Sequence, residues 1–380
     1  MPLRLLIINN ILTPYNVSFF AAASAHADVV ARTVLLARND ANRKWQVDEA
    51  NLGFDYRVLR SLRGYIGRIE LPLYLHWGLW NEMRTFRPDV ITICGYHYFA
   101  TLEVLAFARI YQCRAVLWSG SHLLSGFIKR AWVDAYKRRV ITRFDAYLAY
   151  GSAAREQLVH YGASPEHIVI GCNTVDVHWF RDRSDALRVP SPRPAVMRVL
   201  YVGRLVPIKN VAALVSAVGH LQRRGLAVSL EILGDGQERS NLERHAVRER
   251  VTDVAFLGFR TGDQLAEAYA NADLLVLPSL NEPWGLVVNE AAASGIPAVV
   301  STFCGAARDL IRTGETGLTF DPTVPGDLEG ALERMAVNPT HRRRMGEAAR
   351  RWILERDPAY YATRLVDAAR LALGRARTSA

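Results

Sequence analysis

Apolar positions along this chain fall into short continuous runs, separated by longer stretches in which they recur every three or four residues. That is the signature of buried parallel strands alternating with crossover helices. In the first half the runs predict strands at Leu3–Ile8, Val29–Leu36, Tyr56–Leu59, Val90–Cys94, Ala115–Trp118, Ala146–Ala149 and Ile168–Ile170. Helices are predicted between them at Val17–His26, Leu71–Phe86, Phe99–Tyr111, Ala131–Thr142 and Ala153–Tyr161. Arg38 to Gly67 is less regular and reads as an exposed loop region. Few strands alternate with polar residues, so both faces are expected to be covered by helices, each crossover right-handed.

The alternation stops at Arg181–Arg198, where prolines stand at 190, 192 and 194 and apolar periodicity is lost, as in an interdomain linker. It restarts with a strand at Val199–Val202. A helix follows at Asn210–Arg224, with an apolar stripe at Val211, Leu214, Val215, Val218 and Leu221 and Asn210 as its cap candidate. Strands at Val228–Leu233, Val254–Leu257 and Leu274–Leu277 and a helix at Asp263–Ala270 continue the pattern. The tail from about Met345 to Leu373 reads as helical. The expected division is therefore 1–180, a linker at 181–198, 199–355, and a terminal helical segment at 356–380. Both large segments are expected to be α/β with doubly wound parallel sheets.

One stretch carries most of the chemistry. Asp273–Thr302 reads as strand, polar loop, helix and strand, with Glu282 in the loop and Glu290 inside the helix. A loop at the carboxyl end of a parallel strand is where open α/β sheets bind ligands. The first-turn N–H groups near Gly285, Leu286 and Val287 favour an anion there. Glu290 lies among Val287, Val288 and Ala291 to Ala293, and a carboxylate so placed needs a partner. Upstream, Arg204 and Lys209 in GRLVPIKN follow a strand and precede a helix, where a guanidinium fork and an ammonium can hold phosphate oxygens.

EPWGLVVNE resembles the E-x7-E motif of retaining glycosyltransferases with the GT-B fold, most of all glycosyltransferase family 4. The resemblance is most specific from Arg204 to about Thr319. It implies two Rossmann-like domains facing a central cleft, the first (1–180) binding the acceptor and the second (199–355) the nucleotide sugar, with 356–380 returning to the first. Asn173–Asp176 resembles the N-x-x-D turn where relatives pass from one domain to the other. By the same resemblance Arg204 and Lys209 match a G-R-x-x-x-x-K-N pattern and neutralise the departing diphosphate. Glu282 would bind donor-sugar hydroxyls and Glu290 the ribose, with Pro283, Trp284, Gly285, Leu286 and Val287 completing the donor site and Phe259 near the base. Gly234-Asp235-Gly236 resembles the family's structural G-x-G turn.

The first half departs from the family. The loop Asn9–Tyr15 lacks the usual glycines, and Tyr15 is a candidate for shaping the acceptor site. Either His97 or His122 fits the family's sugar-contacting histidine, although Ser119 occupies the aligned position. No D-x-D triad marks a metal site, so no metal or cofactor is expected, and departing UDP or GDP oxygen would assist the acceptor without a dedicated base.

The net charge of +10 is spread thinly, except in KRAWVDAYKRRVITR at Lys129–Arg143. That segment fits a basic amphipathic helix touching an anionic membrane, and equally a solvated helix face. No nucleic-acid motif accompanies the charge. Four scattered cysteines, Cys94, Cys113, Cys172 and Cys304, fit reduced thiols of a cytoplasmic protein, and no run approaches a bilayer span. The expected partners are a nucleotide-sugar donor and a glycan, lipid-linked or small-molecule acceptor. A non-hydrolysing nucleotide-sugar epimerase and a non-catalytic interaction protein on the same scaffold are the competing readings.

Overall fold

The computed structural model describes residues 1–38, 47, 52–66, 71–96, 99–124, 131–189 and 195–374. The chain divides into two compact units, Met1–Val175 with Pro358–Ala380, and Asp176–Asp357.

In the first unit β1 (Leu3–Asn9), α1 (Pro14–Ala25), β2 (Val29–Leu35) and β3 (Tyr56–Val58) lead into a ribbon, β4 (Arg60–Ile66) and β5 (Leu71–Trp77). Then come α2 (Leu79–Phe86), β6 (Val90–Cys94), α3 (Phe99–Tyr111), β7 (Arg114–Ser119), α4 (Ala131–Ile141), β8 (Ala146–Ala149), α5 (Ser152–His160) and β9 (Ile168–Ile170). Seven strands pair in parallel in the order β3-β2-β1-β6-β7-β8-β9, and β4 pairs antiparallel with β5 outside that sheet. One face is covered by buried side chains of α2, α3, α4 and α5, among them Met83, Val104, Ile141 and Leu158.

In the second unit α6 (Val177–Leu187) precedes β10 (Met197–Val202), α7 (Val211–Arg223), β11 (Val228–Leu233), α8 (Arg239–Arg248), β12 (Val254–Gly258) and α9 (Gly262–Asn271). The remainder is β13 (Leu274–Leu277), α10 (Leu286–Ala293), β14 (Ala298–Ser301), α11 (Gly305–Leu310), β15 (Gly317–Phe320), α12 (Asp327–Val337) and α13 (Pro339–Leu354). Its six strands are parallel in the order β12-β11-β10-β13-β14-β15. Read in chain order this is the 3-2-1-4-5-6 arrangement, whose winding reverses between β10 and β13.

The last helix, α14 (Pro358–Gly374), belongs to the first unit and covers its other sheet face together with α1. Leu365, Val366 and Ala369 are fully buried there, and each Leu or Val so buried contributes about 1.5–3 kcal/mol. The Trp118 indole N–H donates to the Tyr361 hydroxyl at 2.6 Å, tying β7 to the helix. A Cβ on Gly171 would lie 2.1 Å from the Tyr361 ring, so glycine is what lets the ring approach the end of β9.

Four sequence expectations need correction. Arg60–Ile66, inside the expected loop region Arg38–Gly67, is strand. Leu71–Phe86 is not one helix: Leu71–Trp77 is strand and only Leu79–Phe86 is helical. Leu71, Leu73 and Leu75 alternate with Pro72, Tyr74 and His76, and Gly78 at φ 96° turns the chain between the two elements. The expected linker is helical from Arg181 to Leu187, because the Asp176 carboxylate accepts the Trp179 N–H at 3.0 Å and Phe180 and Ser184 are buried one turn apart. Its proline-rich end, 190–194, lies outside the described residues. The helical tail is two helices, since Pro358 cannot continue α13 and instead starts α14. Of the basic segment, Ala131–Ile141 is helix and 129–130 lie outside the described residues.

Candidate functional site

The carboxyl ends of β10 and β13 flank the point where the second sheet reverses its winding, and there the loops carry Arg204, Lys209 and Glu282. Backbone contacts fix each loop. The Leu205 N–H donates to the Asp235 carbonyl at 2.9 Å, and the Glu238 N–H returns to the Leu205 carbonyl at 3.0 Å. The buried Tyr201 hydroxyl donates to the Arg204 carbonyl at 2.9 Å. A Cβ on Gly234 would sit 1.7 Å from the Gly203 carbonyl oxygen, and one on Gly236 would sit 2.3 Å from that of Leu205. The G-D-G turn is thus the surface on which the Arg204 loop rests.

Lys209 closes a short 3-10 turn, Pro207–Lys209. Asn210 follows at the expected N-cap position of α7, in a left-handed conformation, φ 53°, and its side chain makes no capping bond. The Leu280 N–H donates to the Ile208 carbonyl at 2.9 Å and joins this turn to the loop after β13. Lys209 Nζ and Glu282 Oε2 then meet as an ion pair, half-buried on both sides.

The Glu282 backbone is held from beneath by the next loop. Its N–H donates to Phe303 at 3.2 Å, and its carbonyl accepts from Gly305 at 2.9 Å. A Cβ on Gly305 would lie 2.1 Å from the Pro283 carbonyl oxygen. The Trp284 side chain is buried, its indole N–H donating to Asn289 Oδ1 at 3.0 Å, so it anchors the loop from inside. Pro283 is exposed, and Leu286 and Val287 are half-buried in the first turn of α10. Gly285 caps that helix at φ 99°, a left-handed position where a Cβ would also press on Leu277.

Glu290 is 8% exposed, and its Oε2 accepts the Tyr269 hydroxyl proton at 2.7 Å. That is the partner its apolar helix demands. Burial pushes its carboxyl up to about 7, with the Tyr269 hydrogen bond pulling the other way. Burial also pushes up the Tyr269 hydroxyl, with the Glu290 charge as the next cause, so Tyr269 remains the donor. Burial, then the Glu282 charge, likewise raises Tyr201 and the Cys304 thiol beneath the loop. Phe259 is exposed just beyond β12. Among the described residues no three His, Cys, Asp or Glu side chains gather as a metal-binding set.

Comparison with known proteins decides the family. The sequence model of Glycosyl transferases group 1 matches residues 188–352, and that of Glycosyltransferase Family 4 matches residues 27–179. A GDP-mannose-dependent alpha-mannosyltransferase of Mycobacterium tuberculosis is 32% identical over 310 residues, covering 79% of this chain and 72% of that protein. The chain belongs to glycosyltransferase family 4. A glycogen synthase of the same organism is 30% identical over 275 residues, 70% of this chain; the match spans 64% of the synthase. Among solved structures, HepE of Anabaena in complex with UDP and glucose superposes with a TM-score of 0.71 at 18% identity, covering 96% of this chain and 98% of that one. The family 4 chain therefore has the GT-B fold, its two Rossmann-like units each built on a parallel sheet.

In the first unit of this family 4 chain the described candidates lie at or after the carboxyl ends of β1 and β7. Ser119 ends β7 with its side chain buried. His122 is also buried, its Nδ1 accepting the Leu124 N–H at 3.2 Å and its carbonyl accepting from Gln157 at 3.0 Å, which makes it a turn-forming residue. Tyr15 is half-buried in the first turn of α1. His97 lies outside the described residues. Sequence reasoning missed Tyr201 and Tyr269. The Gly-Ala-Ala turn after Cys304 is legible in the sequence, and the structure adds the close approach that Gly305 allows.

Proposed function

We propose that the chain transfers a sugar from a nucleoside diphosphate sugar to an acceptor, with retention of anomeric configuration. The observation that carries this reading is the Lys209–Glu282 pair at the switch point of the second sheet, beside Arg204 and the first turn of α10. Arg204 and Lys209 hold and neutralise the diphosphate, each charged hydrogen bond contributing about 1.5–3 kcal/mol. N–H groups of Gly285, Leu286 and Val287 complete the anion site. Glu282 reads hydroxyls of the transferred sugar, Glu290 the ribose, and Phe259 lies on the side of the base. Pro283 and Trp284 shape the loop between them. As the glycosidic C–O bond breaks, the bonding pair passes to the diphosphate oxygen. That oxygen takes the acceptor proton while the acceptor oxygen bonds the same face of the sugar, so neither a metal nor a separate base is needed.

The relatives support a nucleotide-sugar donor by their names: one uses GDP-mannose, and HepE holds UDP and glucose. The acceptor belongs to the glycans, glycolipids or small metabolites of polysaccharide and glycoconjugate synthesis, handled by the segment 1–180 in the cytoplasm. The test is incubation with UDP- and GDP-sugars, with and without acceptors, followed by nuclear magnetic resonance of the product anomer. Acceptor-dependent turnover with retention supports the reading. Donor isomerisation with no acceptor would favour the epimerase, and no turnover of any donor would favour a binding protein.

A further inference from the structure

The ribbon β4–β5 is built inside out. Its antiparallel register sets Arg60 opposite Trp77 and Leu62 opposite Leu75, and opposed residues share a face. That face is exposed, with Leu62, Leu75 and Trp77 at 63%, 60% and 56%. His76, on the opposite face, is buried against α3, 3.4 Å from Glu103 and in ring contact with Phe99. The apolar side of this ribbon therefore faces solvent while its histidine faces protein, the reverse of ordinary patterning.

The neighbouring helices continue the surface. Phe99 and Leu102, in the first turn of α3, are exposed, and so is Trp132 in the first turn of α4. Tyr136, one turn further on, donates to the Tyr96 carbonyl just before α3, linking the two helices. The outward charges of this region are positive. Arg138, Arg139 and Arg143 are exposed, whereas Asp134 turns inward to the Tyr161 hydroxyl at 2.8 Å and Glu103 to His76.

We propose that this face of the first unit docks onto an anionic lipid bilayer, the aromatic and leucine side chains entering the headgroup region and the arginines meeting lipid phosphates. On α4 the exposed Trp132 and Tyr136 share a stripe with Arg139, continued just past the helix end by Arg143, and exposed aromatics with cations are the chemistry of an interfacial surface. A second copy of the chain is disfavoured, because a two-fold contact would set the arginines against themselves. The consequence for the acceptor, that it is presented from the bilayer, rests on the transferase reading. The docking itself does not.

The test is flotation of the full chain with vesicles of equimolar phosphatidylcholine and phosphatidylglycerol, against phosphatidylcholine alone. Binding should require the anionic lipid and weaken with salt. Each arginine is worth about fivefold in partition, so Arg138→Glu, Arg139→Glu and Arg143→Glu together should lower it by about a hundredfold or more. Trp77→Ser with Trp132→Ser should lower it by roughly tenfold or more. Circular dichroism and the thermal shift with UDP and GDP, which read fold and second unit, should be unchanged in both variants. Absent binding, equal binding to neutral vesicles, binding indifferent to both variants, or a dimer that the serine variant dissociates would overturn the proposal. A wild-type chain that floats but shows no nucleotide shift would instead count against the transferase reading alone.

Discussion

Lys209 and Glu282, 73 positions apart in the chain, close an ion pair with 13% and 16% of their side chains exposed. In the proposed complex each has another partner, phosphate for the ammonium and sugar hydroxyls for the carboxylate. The pair holds both side chains in place before the donor arrives, at the cost of competing with the diphosphate for Lys209.

That competition gives the first prediction. Glu282→Gln keeps the shape but removes the rival charge, so free UDP or GDP should bind as tightly as before or up to about tenfold more tightly, a shift of about 1.4 kcal/mol. Transfer should fall at least a hundredfold. Calorimetry and a radiolabel transfer assay read the two effects separately, and unchanged turnover would remove Glu282 from the site.

Gly234→Ala tests whether the G-D-G turn positions Arg204. The added Cβ would fall 1.7 Å from the Gly203 carbonyl oxygen, so backbone must move on one side or the other. The outcome expected is loss of about 1–3 kcal/mol in urea stability and at least tenfold weaker nucleoside diphosphate binding. Equal affinity in the variant would show that the turn does not act on the site.

Glu290 makes stability depend on pH. Its folded value near 7 lies above the ordinary 4.5, so between these limits the folded chain holds a proton that the unfolded chain has released. Stability is then fully present on the acid side, falls as pH rises through that window, and is level above it. Comparing urea midpoints at about pH 5 and about pH 8 should show a loss of a few kcal/mol assignable to this group, absent in Glu290→Gln. A variant with the same pH slope as the parent would contradict the assignment.

Tyr361→Phe removes the acceptor of the buried Trp118 N–H, whose bond measures 2.6 Å. The unpaired donor should cost about 1–3 kcal/mol and lower the thermal midpoint of the first unit. Trp118→Phe in the same background should add less than it does alone, which a double-mutant cycle by calorimetry measures.

Strands whose two faces are both buried were the most legible elements. Val90–Cys94, Ala146–Ala149, Val228–Leu233 and Leu274–Leu277 are bounded in the structure as their apolar runs suggest, because nothing but a covered parallel strand suits so short a run. Helices with sparse apolar positions were not legible: α8 buries only Leu242 and Ala246, too little periodicity to notice. The ribbon was misread because alternating leucines beside Trp77 and Trp80 also satisfy a loose helical pattern, and no sequence rule says its apolar face stays outside. At the site, Arg204, Lys209 and Glu282 were legible in the loops that follow strands, Glu290 as a carboxylate in an apolar helix, and the pairing of the two glutamates through the family resemblance. What spacing could not give is who meets whom. The Lys209–Glu282 pair, the Tyr269–Glu290 bond and the Tyr361–Trp118 bond all join distant segments, and no local pattern encodes them.

The central claim is that the loops after β10 and β13 grip a nucleoside diphosphate through Arg204 and Lys209. Isothermal titration of UDP and GDP into the wild-type chain and into Arg204→Ala with Lys209→Ala tests it most directly. Loss of two charged hydrogen bonds predicts affinity for the preferred nucleotide weakened by a hundredfold or more, about 3 kcal/mol. Equal affinity in both proteins, or no heat with either nucleotide in the wild type, would contradict the account.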